Sequence, residues 1–438
     1  MLNSAPVTHP PARGCNPSRA AAQGKSPNAL LGALAVLAIC SCGGGGGGSS
    51  STTTPAPPAA PTKTGVLTDS PIQGVAFTTS TSLTGTTNAL GQYTYRPGDT
   101  VQFKLGTLSL GSIPATGVIT PIDLASGSAN RLQNLLVLFQ SLDSDGNPAN
   151  GITIPAASAA ALTSGLDLTL APATFASASN TALQVAMTAG GISTPIVSSA
   201  TANAAFLAEG MTLLSSHVWA SSSGTAAVVL RAAPSGEYLL GEISPAEGGG
   251  MAGVEAGTVT FGGFDTDGYW LNPAATTVDT NGQRGLSNPS TCNRLKVTGD
   301  TLLHRDDCST TWYSIPRMEN DPTGIVGAWS VATPGTIKAQ LVLFFSNGTF
   351  ANLDPIGNGG PGCGSPGVEF GTYSYNPSTK ILKVSNITYN TDGCGGFSDS
   401  AFVLPAGGTL TLSGDGLTAT VVDSTSTPSS LTVYRVSN

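Results

Sequence analysis

The sequence predicts a mainly β protein with a helical insert: a small antiparallel β-sandwich, a helical segment, then two repeated antiparallel β-meander or barrel domains. Three observations carry this. From Gly65 onward apolar residues alternate with polar ones, the period of a strand with one buried face. Between Leu132 and Leu142 the apolar spacing lengthens to three and four residues, the period of an amphipathic helix. From Trp219 to the end, short stretches recur in the same order 111 to 115 residues apart, which marks an internal repeat. Composition agrees. The 438 residues include 56 glycines and 30 prolines and only 10% charged residues, which suits turn-rich exported β domains better than helical cytosolic enzymes.

In chain order, Arg13, Arg19 and Lys25 precede an apolar run from Ala29 to Ile39, with no acidic residue before it. A basic region, a short apolar core and a small residue before the cut read as a secretory signal over residues 1–41. The run is too short to cross a bilayer as a helix. It leads into Ile39-Cys40-Ser41-Cys42, which resembles the lipobox of bacterial lipoproteins; Ile39 and Ser41 fit the pattern and Cys40 departs from it. The resemblance implies that Cys42 carries a diacylglycerol and that the protein is exported and anchored to a membrane by lipid. With Gly43 rather than Asp after the cysteine, it implies the outer membrane of a Gram-negative bacterium. The alternative is an ordinary secretory signal followed by a Gly-rich linker. Residues 42–62 hold Gly43 to Gly48 and then Ser, Thr, Ala and Pro. Such a stretch cannot bury enough apolar surface to fold; it is a tether with a reach of roughly 25 Å.

Beyond residue 41 the chain holds 14 basic against 25 acidic residues, a net of −11. An acidic chain without a basic run argues against nucleic acid as a partner. The partner left open is a protein, a glycan or a small molecule.

Residues 63–124 form the sandwich. Val75-x-Phe77, Tyr93-x-Tyr95 and Val101-x-Phe103-x-Leu105 alternate, separated by Gly85, Asn88, Gly91 and Pro97-Gly98-Asp99. The order Ser70-Pro71-Ile72-Gln73-Gly74-Val75, then Gly85 to Tyr95, resembles carboxypeptidase-regulatory-like and Cna-B-like domains. That resemblance implies a stalk or binding module.

Residues 125–215 form the helical segment. Leu132, Leu135, Leu136, Phe139 and Leu142 share one face, with Ser126 or Ser128 to cap its start. Further helices are expected at Ala156–Ser164, Asn180–Ala189 and Ser199–Leu214, the first two stopped by Gly165 and Gly190. Between the first two helices, Asp143, Asp145 and Asn147 place oxygen atoms on alternate residues, with Asn150 close behind. Calcium loops gather hard donors at that spacing. An EF-hand is excluded, because Pro148 stands where its glycine belongs and no acidic residue ends the loop. The alternative is a polar turn whose side chains cap nearby backbone. No other cofactor is indicated.

Residues 216–318 and 325–437 are the two copies. Gly253-Val254-Glu255 returns as Gly367-Val368-Glu369, Thr280-Asn281-Gly282 as Thr391-Asp392-Gly393, and Leu295 to Leu302 as Leu410 to Leu417. Each copy opens on a tryptophan and closes on an arginine: Trp219 with Arg317, and Trp329 with Arg435. Gly327-Ala328-Trp329 with a late arginine resembles the lipocalin-like (calycin) pattern. The resemblance implies a meander barrel in which an arginine of the last strand lies over a tryptophan of the first. The first copy departs, with His217 in the glycine's place. Two generic β-meanders are the alternative.

Four cysteines remain once Cys15, Cys40 and Cys42 are set aside. In an exported chain they read as two disulfides, because no Cys-x-x-Cys spacing supports zinc. Cys292 and Cys308 flank the turn at Gly299-Asp300, and Cys363 and Cys394 flank the turn from Asn376 to Thr379, giving one local bridge per copy.

Neither Gly-x-Ser-x-Gly nor His-Glu-x-x-His occurs. His304 reads as an exposed strand residue and His217 as packing. Glu255 and Glu369 fall at one repeated place, which the repeat itself explains. The function expected is that of a non-catalytic, surface-exposed lipoprotein with binding or adhesin-like modules. A carrier of small hydrophobic ligands inside the barrels is the alternative, and a secreted hydrolase a remote one.

Overall fold

The computed structural model describes residues 60–305, 308, 310–357, 364–393, 396–398, 406–423 and 430–436. Residues 60–436 fall within one compact unit, Ala59–Asn438. Cys42, Cys363 and Cys394 lie outside the described residues. The fold is mainly β with a helical insert.

The first module contains β1 (Lys63–Leu67), β2 (Ile72–Gln73), β3 (Ala76–Thr79), β4 (Thr84–Thr86), β5 (Gln92–Tyr95), β6 (Thr100–Leu105), β7 (Leu108–Pro114) and β8 (Val118–Ile119). One sheet runs β4-β3-β6-β7 and the other β5-β1-β8. Their alternation buries Phe77, Tyr93, Val101, Phe103 and Leu105 between them. The Tyr93 ring meets Phe103 edge-on at 5.2 Å. The sandwich is not wholly antiparallel: β8 runs parallel to β1, Val66 opposite Val118. A two-residue strand leaves no periodicity in sequence from which its direction could be read.

The helical insert comprises α1 (Pro121–Leu124), α2 (Ala129–Ser141), β9 (Ile152–Thr153), α3 (Ala156–Ala161), α4 (Pro172–Phe175), α5 (Thr181–Ala189) and α6 (Ser199–Ser215). Ser128 caps α2, its hydroxyl accepting the Arg131 N–H at 3.3 Å. Most of α2 is buried, polar residues included: the Asn134 amide reaches the carbonyls of Leu168 and Leu170 at 2.9 and 2.8 Å. Strand β9 pairs parallel with β2, so insert and sandwich are stitched together. They share one core, running from Leu67 to Phe206, which also takes in Tyr269 of the first copy.

The first copy has β10 (Trp219–Ser222), β11 (Ala227–Ala232), β12 (Glu237–Ile243), β13 (Gly253–Thr258), β14 (Phe261–Phe264), β15 (Tyr269–Leu271), β16 (Ala275–Asp279), β17 (Arg294–Val297), β18 (Thr301–Arg305) and β19 (Tyr313–Pro316). The second has β20 (Gly327–Ser330), β21 (Leu341–Phe344), β22 (Thr349–Asp354), β23 (Gly367–Asn376), β24 (Ile381–Asn390), β25 (Gly408–Leu412), β26 (Thr418–Val422) and β27 (Ser430–Arg435). These last eight strands form a closed barrel.

The first copy traces the same circuit with its longest hairpin broken. Where β23 and β24 each run ten residues, the first copy has β13 then β14, and β15 then β16. Pro273 falls in the gap between β15 and β16, where it supplies no N–H to a ladder. The pairing is otherwise preserved: Glu255 lies opposite Asp279 as Glu369 lies opposite Asn390. Both hairpins bulge one or two residues further on. The break divides the first copy into two five-stranded sheets, joined at the far side by a bridge between Trp219 and Arg317.

Strands β11, β12, β13, β21, β22 and β23 are buried on both faces over most of their length. Their inward residues join the tryptophans of β10 and β20 in the two interiors, Tyr238 and Leu240 with Trp219 in the first copy and Phe344 and Phe350 with Trp329 in the second. Their outward residues meet across the copies in a single core holding Val229, Leu239, Val254, Leu343, Leu353 and Phe370. Gly241 lies against Leu353; a Cβ on the glycine would stand 2.6 Å from the leucine side chain. The two residues hold the same place in their copies, since Gly241 pairs with Val254 as Leu353 pairs with Val368. Equivalent residues meeting at the centre of a contact is the geometry of an isologous pair. The sheet faces that would be the surfaces of two separate copies are therefore a common interior.

Cys292 and Cys308 are disulfide-bonded across the β17–β18 hairpin, 16 residues apart. A loop of that length implies about 3 kcal/mol from restricting the unfolded chain. Cys308→Ala should lower stability by that amount in urea titrations without reductant, and reductant should bring the parent chain part of the way to the same value. A variant as stable as the parent would show that the hairpin holds itself.

Candidate functional site

The two copies place the same residue types at the same points inside their barrels, and the differences between them are chemical. At the closure of the second barrel, Trp329 pairs with Arg435 in backbone register. The guanidinium carbon stands 4.2 Å from the indole centroid. Arg435 also donates to the carbonyls of Gly416, Val326 and Gly324 at 2.7, 3.1 and 2.7 Å, and the indole N–H donates to Ile325 at 2.9 Å. Gly327 sits close beneath: a Cβ on it would lie 2.3 Å from the Asn320 side-chain oxygen and 2.9 Å from an Arg435 nitrogen, and its φ is +143°.

His217 occupies that place in the first copy, and the outcome differs accordingly. Its imidazole packs edge-on against Trp219 at 5.2 Å, and burial lowers its pKa. The Arg317 guanidinium turns out to Asp300 at 3.4 Å. Trp219 keeps its counterpart's other contact, donating to Leu214 at 2.7 Å. The first copy thus closes through backbone without the cation over the ring.

Glu255 and Glu369 both point inward and are fully buried. Glu255 is surrounded by donors: the Tyr238 hydroxyl, the Leu286 and Ser287 N–H groups at 3.0 Å and the Ser287 hydroxyl at 3.0 Å. Gly285 makes room for it, since a Cβ there would meet the carboxylate at 2.1 Å. Burial still raises its pKa, with those donors opposing the shift. Around Glu369 the glycine recurs as Gly396, but Phe350 stands where Tyr238 stands in the first copy. Phe397 N–H donates to Oε2 at 2.5 Å, while Oε1 is buried without a partner. Burial, against the Phe397 bond and reinforced by the charge of Asp392, raises Glu369 to about 7. Glu255 thus has the Tyr238 hydroxyl where Glu369 has the ring of Phe350, and burial raises the pKa of both.

Between the two sheets of the first copy lies a cavity of about 100 Å³. Leu230, Leu240 and Leu302 wall it, and Glu242, Arg294 and His304 border it. The arginine is engaged, salt-bridged to Asp265 at 2.7 Å and stacked on Trp270 at 5.0 Å. His304, expected on an exposed face, is half-buried at this cavity with its ring 5.5 Å from Tyr313.

Asp143, Asp145, Asn147 and Asn150 share the loop between α2 and β9. Asp143 is 1% exposed; its Oδ1 accepts the Thr153 N–H at 2.9 Å. The exposed Asp145 accepts from the Asn147 N–H and the Asn150 amide, both at 2.9 Å. Among the described residues no set of three His, Cys, Asp or Glu side chains gathers for a metal. No helix among them is long and apolar enough to cross a membrane. No protein family, curated protein or solved structure matches the chain.

Proposed function

We propose that the protein is a lipid-anchored, non-catalytic surface protein of a Gram-negative bacterium. In this reading the sandwich, helical insert and paired barrels form a binding module held off the outer membrane by the tether. The observation that carries it is the succession in sequence of a lipobox-like Ile39-Cys40-Ser41-Cys42, a Gly/Ser/Thr/Pro tether, and a compact unit that begins at Ala59. A rigid unit supports it too, because sandwich, insert and both barrels are linked through shared cores. The cavity of about 100 Å³ is smaller than the roughly 300–1,000 Å³ of ordinary ligand pockets, which favours packed barrels over carriers.

Cys42→Ala is expected to move the protein from the membrane to the soluble fraction, or to leave it uncut, and to abolish incorporation of labelled palmitate. Protease added to intact cells should degrade the parent protein. A Cys42→Ala variant that stays membrane-bound at its mature mass sinks the anchor; protection of the parent from protease sinks surface exposure.

A further inference from the structure

We propose that the loop from Asp143 to Thr153 binds Ca²⁺, with Asp143 and Asp145 as its two carboxylate ligands and the side-chain oxygens of Asn147 and Asn150 completing the set. The spacing alone allows an ordinary polar turn. The buried carboxylate is what the turn does not explain. Asp143 Oδ1 is satisfied by the Thr153 N–H, but Oδ2 has no partner and almost no contact with solvent. The Asp143 carboxyl stands within reach of the Asp145 carboxylate and of the Asn147 N–H. Two carboxylates in contact repel when both are ionised, and none of the described salt bridges brings a lysine or arginine to either. A cation between them removes both costs together.

All the donors are hard oxygens, which select an alkaline-earth ion over a transition metal. They sit on a loop with two amide members, which suits the irregular seven- or eight-fold shell of Ca²⁺ better than the strict octahedron of Mg²⁺. With only two carboxylates the affinity belongs in the range of about 10⁻⁴–10⁻³ M found in extracellular modules. The loop is also well placed to transmit binding. The Ser144 N–H donates to the Thr153 carbonyl at 3.0 Å, and Thr153 belongs to β9, which joins the insert to the sandwich. This inference rests on the loop geometry and not on the membrane anchor.

Calorimetric titration of the EDTA-treated full chain with CaCl₂ tests it, together with thermal unfolding in millimolar Ca²⁺, Mg²⁺ or EDTA. Binding heat and a higher melting temperature are expected with Ca²⁺ and not with Mg²⁺. Asp145→Asn should abolish both responses, so that its melting temperature is the same in Ca²⁺ as in EDTA. Absence of heat and shift in the parent overturns the proposal, as it would if the two carboxylates share a proton instead. A full response retained in both Asp145→Asn and Asp143→Asn overturns it as well, by placing calcium elsewhere.

Discussion

Trp329→Ala is expected to cost about 3–5 kcal/mol and to unfold both barrels in one transition. The indole is 1% exposed and is held from two sides, by its bond to Ile325 and by the Arg435 guanidinium over its face. Deleting it leaves a cavity where the first and last strands meet and takes away the surface on which a buried cation rests. Ala328, the next residue, faces the opposite way into the core shared by the copies, so damage to β20 reaches the first barrel directly. The remaining tryptophans, Trp219, Trp270 and Trp312, all lie in the first copy, and their emission reports that copy alone. Urea unfolding followed by fluorescence and by circular dichroism should give coincident curves at a lower midpoint. A first barrel that keeps its native emission after the second has lost its strands would refute the common core.

The second large effect is on pH. Glu369 stands at about 7 in the folded chain against an ordinary value of 4.5. The native state therefore keeps a proton that the unfolded chain has released, and its stabilising contribution is fully present below pH 4.5 and lost as pH rises to about 7. The change is worth about 3 kcal/mol. Glu255, Asp69 and Glu209 are also raised by burial and act in the same direction, so the informative quantity is the difference between the parent and Glu369→Gln. The variant should lose less stability between pH 5 and 8, by about 3 kcal/mol. Phe350→Tyr should restore the missing hydroxyl and reduce the slope without removing the carboxylate. Parallel pH profiles for parent and Glu369→Gln would show that the carboxylate is ionised throughout.

Much of this was legible in the sequence. The change from period two to period three-and-four located the insert, the start of α2 was narrowed to Ser126 or Ser128, of which Ser128 is the cap, and the ordered recurrences aligned the two copies. Trp329 and Arg435 stood out because each copy keeps its ends. Other features depend on pairing. That Phe350 in the second copy replaces Tyr238 in the first is apparent only once β12 and β22 are aligned by their partners Gly257 and Gly371. The exchange of glycine for His217 was visible, but its outcome was not: the His217 ring lies against Trp219 and Arg317 reaches Asp300, where Arg435 lies over Trp329. The contact between the barrels did leave a trace. Leu341-Val342-Leu343-Phe344 and Ala227-Val228-Val229-Leu230 do not alternate, and a strand apolar on both faces is covered on both. The unpartnered Oδ2 of Asp143 left none, because spacing shows which donors are present and not which of them remain unsatisfied.

Gly241 set against Leu353 has a consequence for assembly. In a symmetric dimer a residue on the two-fold axis always faces itself, so two glycines would leave a hole and two leucines would collide. Fusing both halves into one chain lifts that restriction and allows knob and socket to become different residues. Once they differ, the interface discriminates. A first barrel meeting the first barrel of another molecule lacks the knob, and a second meeting a second has no socket. The unlike pairing is met at once within each chain, so identical molecules gain little by trading halves.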